Sequence, residues 1–351
     1  MVVASHPRRA FAGDAARSAV LSAAKAIWWG ANGVMARRVT QPTRGMAAKT
    51  PDATAKAPDR SELRNAWMEA FRKDAADVRA GIYPVTERLQ SPVKAIRHAI
   101  DFLTNARDVD NRRRRADGVE VRYSTESDAY PNYDRQNFHY QTGGWFTADS
   151  ARRYEGQVEA LFAGTAGPMR RRALSLLARA LGGQDQRDLK IADAACGAGA
   201  FLMDLRATFP RSTLLGIDLS APYLEEARKR SGAAVLQANL EHTPLADDCL
   251  DALTCIYLFH ELPPRIRPLI AAEFARVLKP GGLLAFADSV QARDAPELAR
   301  LLEVFPVFFH EPFYESFQST DLTALFAQAG LVEEARDTAF LTTARLFRKT
   351  V

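Results

Sequence analysis

The chain has few of the residues that mark disulfide-rich or metal-binding proteins. It contains only three cysteines in 351 residues, and their spacing suits neither a disulfide framework nor a zinc motif. Its six histidines are scattered, and no H-E-x-x-H pattern occurs. We therefore expect no metal site. The low cysteine content favours a reducing compartment, so a cytoplasmic location is expected.

Glutamate is absent from residues 1–60, which contain ten Lys or Arg and three Asp and so carry a net charge of +7. Since the whole chain carries +5, the remainder carries −2, and no nucleic-acid partner is expected. An arginine-rich, acid-poor segment of this kind predicts a leader that is disordered or membrane-peripheral. The alternative is a transit segment, whose removal would leave the mature protein in an organelle.

The chain also has no long hydrophobic run. Its most apolar stretch near the N-terminus, Ala19–Met35, spans 17 residues and is interrupted by a lysine and two glycines, which is marginal for a membrane span. Two tryptophans followed by the Arg37-Arg38 pair are typical of an interfacial helix. Residues 19–38 are therefore a candidate for peripheral membrane contact, and the alternative is a helix packed on the protein's own surface.

Residues 61–168 are predicted to form a helical N-terminal extension that ends in an aromatic segment. Seven aromatic side chains lie between residues 123 and 147, mixed with amides and followed by a Gly143-Gly144 turn. This composition is typical of a lid or pocket wall, and the alternative is a strap that buries its aromatics against the core. The candidate lid and substrate contacts are His139, Tyr140, Trp145 and Tyr154.

Strands and helices alternate within residues 169–351. This alternation predicts an α/β fold in which parallel strands are joined by right-handed crossovers, with helices on both faces of the sheet. Two closing strands after the fifth would complete a seven-stranded, mostly parallel sheet. The predicted strands are 189–193, 213–218, 233–238, 250–259, 283–288, 331–335 and 339–347.

The most informative stretch runs from Leu189 to Gly199, where a buried strand ends in an acid and a turn of small residues opens a helix. Glycines in such a turn let backbone N–H groups approach a ligand. Asp218 and Asn239 end the next two strands. Because parallel strands present their carboxyl ends at one sheet edge, these side chains predict an adenosine site, with Asp218 accepting from the ribose hydroxyls.

A nicotinamide dinucleotide is disfavoured because the turn lacks the third glycine of G-x-G-x-x-G and has Leu202 in its place. The negative charge of Asp193 would also repel a phosphate, whereas it suits an ammonium group. An adenosine that carries an amino-acid tail meets both requirements. The sequence thus favours S-adenosyl-L-methionine as the cofactor.

Residues 189–289 resemble the class I S-adenosylmethionine-dependent methyltransferases, including the type 11 enzymes. The resemblance rests on D-A-A-C-G-A-G at 193–199, L-L-G-I-D-L-S at 214–220 and R-V-L-K-P-G-G-L-L at 276–284. Two positions depart from the family pattern, because Ala195 replaces a glycine and Asn239 replaces an aspartate. The cofactor contacts that the resemblance implies are Asp193, Ala195, Cys196, Gly197, Gly199, Asp218, Leu219, Asn239, Leu240 and Tyr257.

The resemblance implies methyl transfer by SN2 displacement to a small or lipophilic acceptor. His260 is a candidate general base and Glu261 a candidate for orienting it or binding substrate. The Asn/Asp-Pro-Pro-aromatic motif of nucleic-acid base methyltransferases is missing after the fourth strand. A protein or RNA methyltransferase with a basic groove at Arg112–Arg115 and Arg170–Arg172 remains an alternative, as does a non-catalytic cofactor-binding protein.

Overall fold

The computed structural model describes residues 12–40, 56–86, 92–115, 117–124 and 130–350. Its centre is one seven-stranded sheet with the order β3-β2-β1-β4-β5-β7-β6. All pairings among β1 to β5 are parallel, whereas β7 runs antiparallel to both of its neighbours. The strands are Lys190–Ala194 (β1), Thr213–Asp218 (β2), Ala234–Gln237 (β3), Leu250–Ile256 (β4), Leu278–Ser289 (β5), Leu331–Ala339 (β6) and Thr342–Lys349 (β7).

Twelve α-helices surround this sheet within the described residues. Several begin at polar caps, such as Asp59, whose side chain and that of Glu62 form a capping box. The helices are Ala12–Thr40 (α1), Arg60–Arg79 (α2), Pro92–Arg115 (α3), Val121–Ser124 (α4), Ala148–Leu161 (α5), Ala166–Ala180 (α6), Ala200–Thr208 (α7), Ala221–Ser231 (α8), Arg267–Val277 (α9), Ala299–Phe308 (α10), Tyr314–Gln318 (α11) and Leu322–Gln328 (α12).

Both faces of the sheet are buried under helices. One hydrophobic core joins the sheet to α6, α7 and α8, and a second joins it to α9 and α12. The strand order reverses between β1 and β4, and ligands of open α/β sheets bind at that switch point. The predicted α/β, Rossmann-like class is confirmed. The fourth strand ends earlier than predicted, because Tyr257 turns the chain with a φ of +59°.

The helical extension is tied to the sheet by buried ion pairs between α2 and α6. Arg171 donates to both carboxylate oxygens of Asp74 at 2.7 and 2.9 Å, and Arg172 lies 2.7 Å from Asp77. Removing one partner of a buried pair costs roughly 3–5 kcal/mol because the other charge is left unpaired. The extension is thus part of the same folded body as the sheet.

Residues 12–40 differ from the expectation of disorder, because α1 packs against α2, α3 and α5. Trp29 is buried against Gly156, and Lys25 lies 2.6 Å from the buried carboxylate of Glu159. Residues 1–11 and 41–55 of the predicted leader lie outside the described residues, as do residues 125–129 of the aromatic segment. Within the described ranges, no helix combines the length and apolarity that a membrane crossing requires.

Candidate active site

The turn between β1 and α7 forms the floor of a cleft at the carboxyl edge of the sheet. Gly199 has a φ of +79° and packs so closely on α8 that a Cβ would lie 2.7 Å from the Cα of Ala227. Gly197 also has a positive φ, of +52°, but a Cβ there would meet only Tyr223, at 4.0 Å. Gly199 therefore allows helix packing, whereas Gly197 leaves the backbone open toward the cleft.

Ala195 lines the same cleft with a φ of +56°. The left-handed region costs an L-residue roughly 1–2 kcal/mol relative to glycine, because Cβ approaches the following carbonyl oxygen. This is the position at which the sequence departs from the glycine of the family pattern. The turn keeps the required backbone shape and carries local strain in doing so.

Asp193 offers the cleft a buried carboxylate oxygen with no hydrogen-bond donor. Its Oδ1 accepts from Thr254 Oγ1 at 2.6 Å, while Oδ2 has no partner. Burial raises the pKa of Asp193 to about 7, although the Thr254 hydrogen bond opposes this effect. A cationic donor would satisfy Oδ2 and favour the ionised form. The α-ammonium of an amino-acid tail is such a donor.

Asp218 ends β2 on the other side of the turn. Its carboxylate accepts from the N–H groups of Gly197 and Ser220, each at 2.8 Å. Burial raises the pKa of Asp218 to about 6, against the opposing effect of these two hydrogen bonds. A carboxylate has about four lone-pair sites, so two remain for hydroxyl donors. These contacts fit the two hydroxyls of a ribose.

A third acid, Asp134, comes from the aromatic segment and was missed by the sequence analysis. It lines the cleft, and burial together with the charge of Asp218 raises its pKa to about 7. Three carboxylates in one cleft create a negative potential that attracts a cation. No spacing links residue 134 to the strand ends, so only the packing of the aromatic segment reveals it.

Asn239 contributes to the shape of the cleft mainly through a turn. Its Oδ1 accepts from the N–H of Glu241 at 2.9 Å, and its Nδ2 donates to the Glu241 carboxylate at 3.1 Å. The phenol of Tyr133 donates to the same carboxylate at 2.7 Å, which ties the aromatic segment to the loop after β3. Leu219 and Leu240 also line the cleft.

The aromatic segment covers the cleft and is fixed to α8. Trp145 packs edge-to-face on Tyr154 and Tyr223, with centroids 5.2 and 5.5 Å apart. Gln141 Nε2 donates to the Tyr223 hydroxyl at 2.8 Å, and Ser220 Oγ donates to the Trp145 carbonyl. The observed position of the aromatic segment agrees with both predictions, a lid and a strap, because its aromatic side chains are buried and also face the cleft.

A second cavity adjoins the cleft and is larger, about 630 Å³ against about 150 Å³. Tyr154, Tyr257 and Glu261 line both, so the two spaces meet at these side chains. The wall of the second cavity is mostly apolar and comes from α5, α10 and their neighbours. Its apolar members include Val158, Leu161, Phe162, Leu301, Phe305 and Phe309.

The candidate base His260 lines the apolar cavity next to Glu261, and its ring is held by Asp288. The Nδ1 of His260 is 2.6 Å from Asp288 Oδ1, while the N–H of Phe259 donates to Asp288 Oδ2 at 2.8 Å. Burial by itself lowers the pKa of His260, but the charge of Asp288 and its hydrogen bond raise it to about 10. Asp288 thereby fixes the orientation of the ring and favours its protonated form, so a role as general base would require that His260 first release this proton.

Three further groups surround His260, namely His139, Glu261 and Glu311. One ligand-type atom from each of the four lies within 4.8 Å of all the others. His139 adopts a φ of +56°, and Glu311 is buried with both carboxylate oxygens lacking a hydrogen bond. No ligand motif in the sequence predicts this cluster, because its side chains come from three segments that only the fold brings together.

Of two further predicted site residues, Tyr140 has other surroundings than expected, whereas Cys196 lies in the cleft as predicted. Tyr140 lines neither cavity and instead packs on His310, with ring centroids 5.7 Å apart. Cys196 does line the cleft, but burial raises the pKa of its thiol well above the ordinary value. A thiol in this state is a small apolar contact and a poor nucleophile.

The basic groove that a protein or RNA acceptor would require is not formed by the predicted arginines. Arg170 is buried and forms a bidentate pair with Glu155, and the two arginines that follow it are also buried and paired. In α3, Arg112 lies 2.8 Å from Glu120, and the next two arginines pair with Asp110. Most of these guanidinium groups are held in ion pairs that stabilise the fold, whereas Arg114 and Arg115 are exposed at the end of α3.

Comparison with known proteins agrees with this geometry. A family model described as a methyltransferase domain matches residues 191–282. The chain contains a class I S-adenosylmethionine-dependent methyltransferase domain. The predicted family and cofactor are thereby confirmed for this domain, whose matched span contains β2 to β4, nearly all of β1 and the turn that forms the floor of the cleft.

Curated relatives match between 28% and 35% of the chain. A ubiquinone/menaquinone biosynthesis C-methyltransferase from Syntrophotalea carbinolica is 34% identical over 33% of this chain and 50% of its own length. A fatty-acid O-methyltransferase from Mycolicibacterium smegmatis is 30% identical over 35% and 45%. A malonyl-[acyl-carrier protein] O-methyltransferase from Pectobacterium atrosepticum is 35% identical over 28% and 38%. The chain thus spans half or less of the length of these relatives.

Proposed function

We propose that the whole protein transfers a methyl group from S-adenosylmethionine to a small, lipophilic acceptor. The observation that carries this proposal is the apolar cavity of about 630 Å³ that meets the cofactor cleft at Tyr154, Tyr257 and Glu261. Its size and lining are typical of small-molecule sites. The names of the relatives, which include a quinone-pathway and a fatty-acid enzyme, support an acceptor with an apolar tail.

When bound, the cofactor supplies an electrophilic methyl on a sulfonium. Asp193 would bind the ammonium of its amino-acid tail, and Asp218 the ribose hydroxyls. Gly197 leaves room for the ligand beside the backbone, and Tyr133 and Trp145 exclude water from above. The chain thereby contributes alignment and a dry site, which raise the rate when the methyl donor is already activated.

The segment of residues 61–168 would act as the acceptor-binding part of the enzyme, since α3 and α5 supply one side of the apolar cavity. The sheet region from residue 169 onward would hold the cofactor. Helix α1 would bring the protein to a membrane surface, where lipophilic acceptors concentrate. Its large exposed apolar side chains support this: Val20, Ile27, Val34 and Met35.

Two experiments test these proposals separately. Calorimetry with S-adenosylmethionine should show binding to the wild type, and Asp218→Ala should weaken it at least tenfold, or about 1.4 kcal/mol. Incubation with methyl-labelled cofactor and a lipid extract should then place the label in an organic-soluble product. Label only in protein or RNA would contradict the small-molecule proposal.

For the membrane contact, flotation with anionic vesicles should recover the wild type with the lipid. An Ile27→Glu variant should lose this because it places a charge on the apolar face. Equal flotation of both proteins, or of neither, would contradict the role proposed for α1.

A further inference from the structure

We propose that His139, His260, Glu261 and Glu311 form a binding site for a divalent transition-metal ion beside the apolar cavity, near the point where Glu261 faces the cofactor cleft. The four side chains come from the aromatic segment, from the turn after β4 and from the loop after α10. In each of these segments the residues belong to a short motif that contains Phe-His, and only the fold brings the three motifs together.

The spacing of the ligand atoms is close to what a metal requires. They lie within 4.8 Å of one another, with His139 Nε2 3.6 Å and His260 Nε2 3.9 Å from Glu261 Oε1. Bonds of about 2.1 Å allow ligand atoms to be at most roughly 4.2 Å apart. Four ligands around one ion would lie closer, roughly 3.4 Å apart in a tetrahedron, so side-chain movements of up to about 1 Å would complete the coordination.

The buried carboxylate of Glu311 is a second observation, besides the spacing of the ligand atoms, that indicates a bound cation. Its side chain is fully buried, yet neither carboxylate oxygen accepts a hydrogen bond, and His139 Nδ1 lies 3.2 Å from Oε1. A buried carboxylate without donors is costly, and coordination to a cation is one way to compensate it. The His139–Glu311 contact alone could be a simple ion pair, which is the competing explanation.

The hydrogen-bond partner of His260 also fits a metal site. The Nδ1 of His260 lies 2.6 Å from Asp288 Oδ1, and the other oxygen of Asp288 accepts from the N–H of Phe259. Metal-binding histidines usually donate their other ring N–H to a carboxylate, which fixes the tautomer that presents Nε2 to the ion. Two imidazoles and two carboxylates suit Zn²⁺, Fe²⁺, Co²⁺ or Mn²⁺ better than they suit Mg²⁺.

The site would bind an oxygen of the acceptor, an inference that rests on the proposed function. His139, His260 and Glu261 line the apolar cavity, and Glu261 also faces the cofactor cleft. A metal ion held by these residues would lower the pKa of an acceptor hydroxyl, and the proton would be lost to solvent before the site closes over the cofactor. The acceptor oxygen would then form its bond to the methyl carbon as the carbon–sulfur bond breaks, with S-adenosylhomocysteine as the neutral leaving group.

The test uses the full, untagged chain, treated with chelator and dialysed separately against Zn²⁺, Mn²⁺ and Co²⁺. Elemental analysis and calorimetry should find one equivalent of at least one ion per chain. Glu311→Gln and His139→Asn should each weaken that binding at least tenfold. Asparagine is chosen at 139 because it tolerates the left-handed backbone. Exposed residues provide matched controls, and Glu315→Gln and His242→Asn should bind like the wild type.

The visible spectrum of the Co²⁺ form gives a readout that activity does not influence, since it should change when Glu311 or His139 is replaced. If none of the three ions binds stoichiometrically, or if both variants bind as tightly as the wild type, the metal site is refuted and the ion pair is the better explanation. Circular dichroism identifies a variant that fails to fold, and the other variant then decides. Calorimetry with S-adenosylmethionine on metal-free protein tests the proposed function independently.

Discussion

The cofactor cleft and the apolar cavity are built in opposite ways. The floor of the cleft comes from consecutive strand ends within about one hundred residues, and its important groups are backbone N–H groups and carboxylates. The wall of the cavity comes from helices and turns between residues 105 and 341, and it is mostly apolar. One region holds a ligand of constant structure, whereas the other can change its lining without altering the sheet.

The largest effect should come from the buried acid of the cleft. Asp193→Asn keeps the shape and the Thr254 contact but removes the charge that faces the ammonium. We expect S-adenosylmethionine to bind roughly a hundredfold more weakly, or about 2.7 kcal/mol, as calorimetry would measure. Asp188→Asn, an exposed acid just before β1, is the matched control and should change nothing. If Asp193→Asn bound the cofactor as tightly as the wild type, Asp193 would not bind the ammonium group, and the cofactor role of the cleft would be contradicted.

A substitution in the apolar cavity should affect acceptor binding and not cofactor binding. Phe305→Ala removes a ring that contacts His139 and Phe309, with centroids 6.4 and 4.8 Å away. Losing this apolar surface should raise KM for a lipophilic acceptor roughly tenfold and leave the cofactor affinity unchanged. Steady-state kinetics and calorimetry measure the two quantities. Phe71→Ala, in α2 and away from both cavities, controls for a general loss of stability. A parallel loss of cofactor affinity would show that the regions are not independent.

Cofactor binding should depend on pH, because the cleft contains two acids with raised pKa values. The pKa of Asp193 is raised to about 7 and that of Asp218 to about 6, so in the free protein their protonated forms are stabilised. The free energy of unfolding that these two protonated acids contribute is complete below their ordinary pKa of 3.8, and it is lost as the pH rises through 6 to 7. A cationic ligand favours the ionised forms. Binding should therefore tighten roughly tenfold from pH 5.5 to pH 8.

Calorimetry in buffers with different ionisation enthalpies provides the check on this linkage. Near pH 6.5, cofactor binding should release roughly one proton per chain, because both carboxylates become ionised in the complex. Proton uptake on binding, or an affinity that does not depend on pH, would contradict the assignment of these two acids to the cofactor.

The smallest expected effect concerns the strained turn. Ala195→Gly should raise the free energy of unfolding by about 1 kcal/mol, because glycine adopts a φ of +56° without the Cβ conflict. The melting temperature should rise by about 2 °C. Ala234→Gly, at the start of β3, is the opposite control and should destabilise the chain. A lower melting temperature for Ala195→Gly would mean that the alanine methyl packs favourably enough to offset its strain.

The strands and the cleft were accessible to sequence analysis because their signals are local. Burial on both faces produces apolar strand segments, and the acids directly follow them, as Asp193 and Asp218 show. Within the leader, which was predicted to be disordered or membrane-peripheral, residues 12–40 form helix α1 packed on the protein's own surface, the alternative that the sequence offered for 19–38. Its moderate apolarity did not reveal that Trp29 would be buried against Gly156.

The sequence alone determined the α/β class, the methyltransferase domain and its cofactor, since each depends on residues that are close along the chain. Only the tertiary structure decided where Asp134 lies and that four His and Glu side chains converge beside the apolar cavity. The physical reason is the range of the interactions. A turn or a strand is specified by neighbouring residues, whereas contacts between distant segments follow from how the helices cover the sheet.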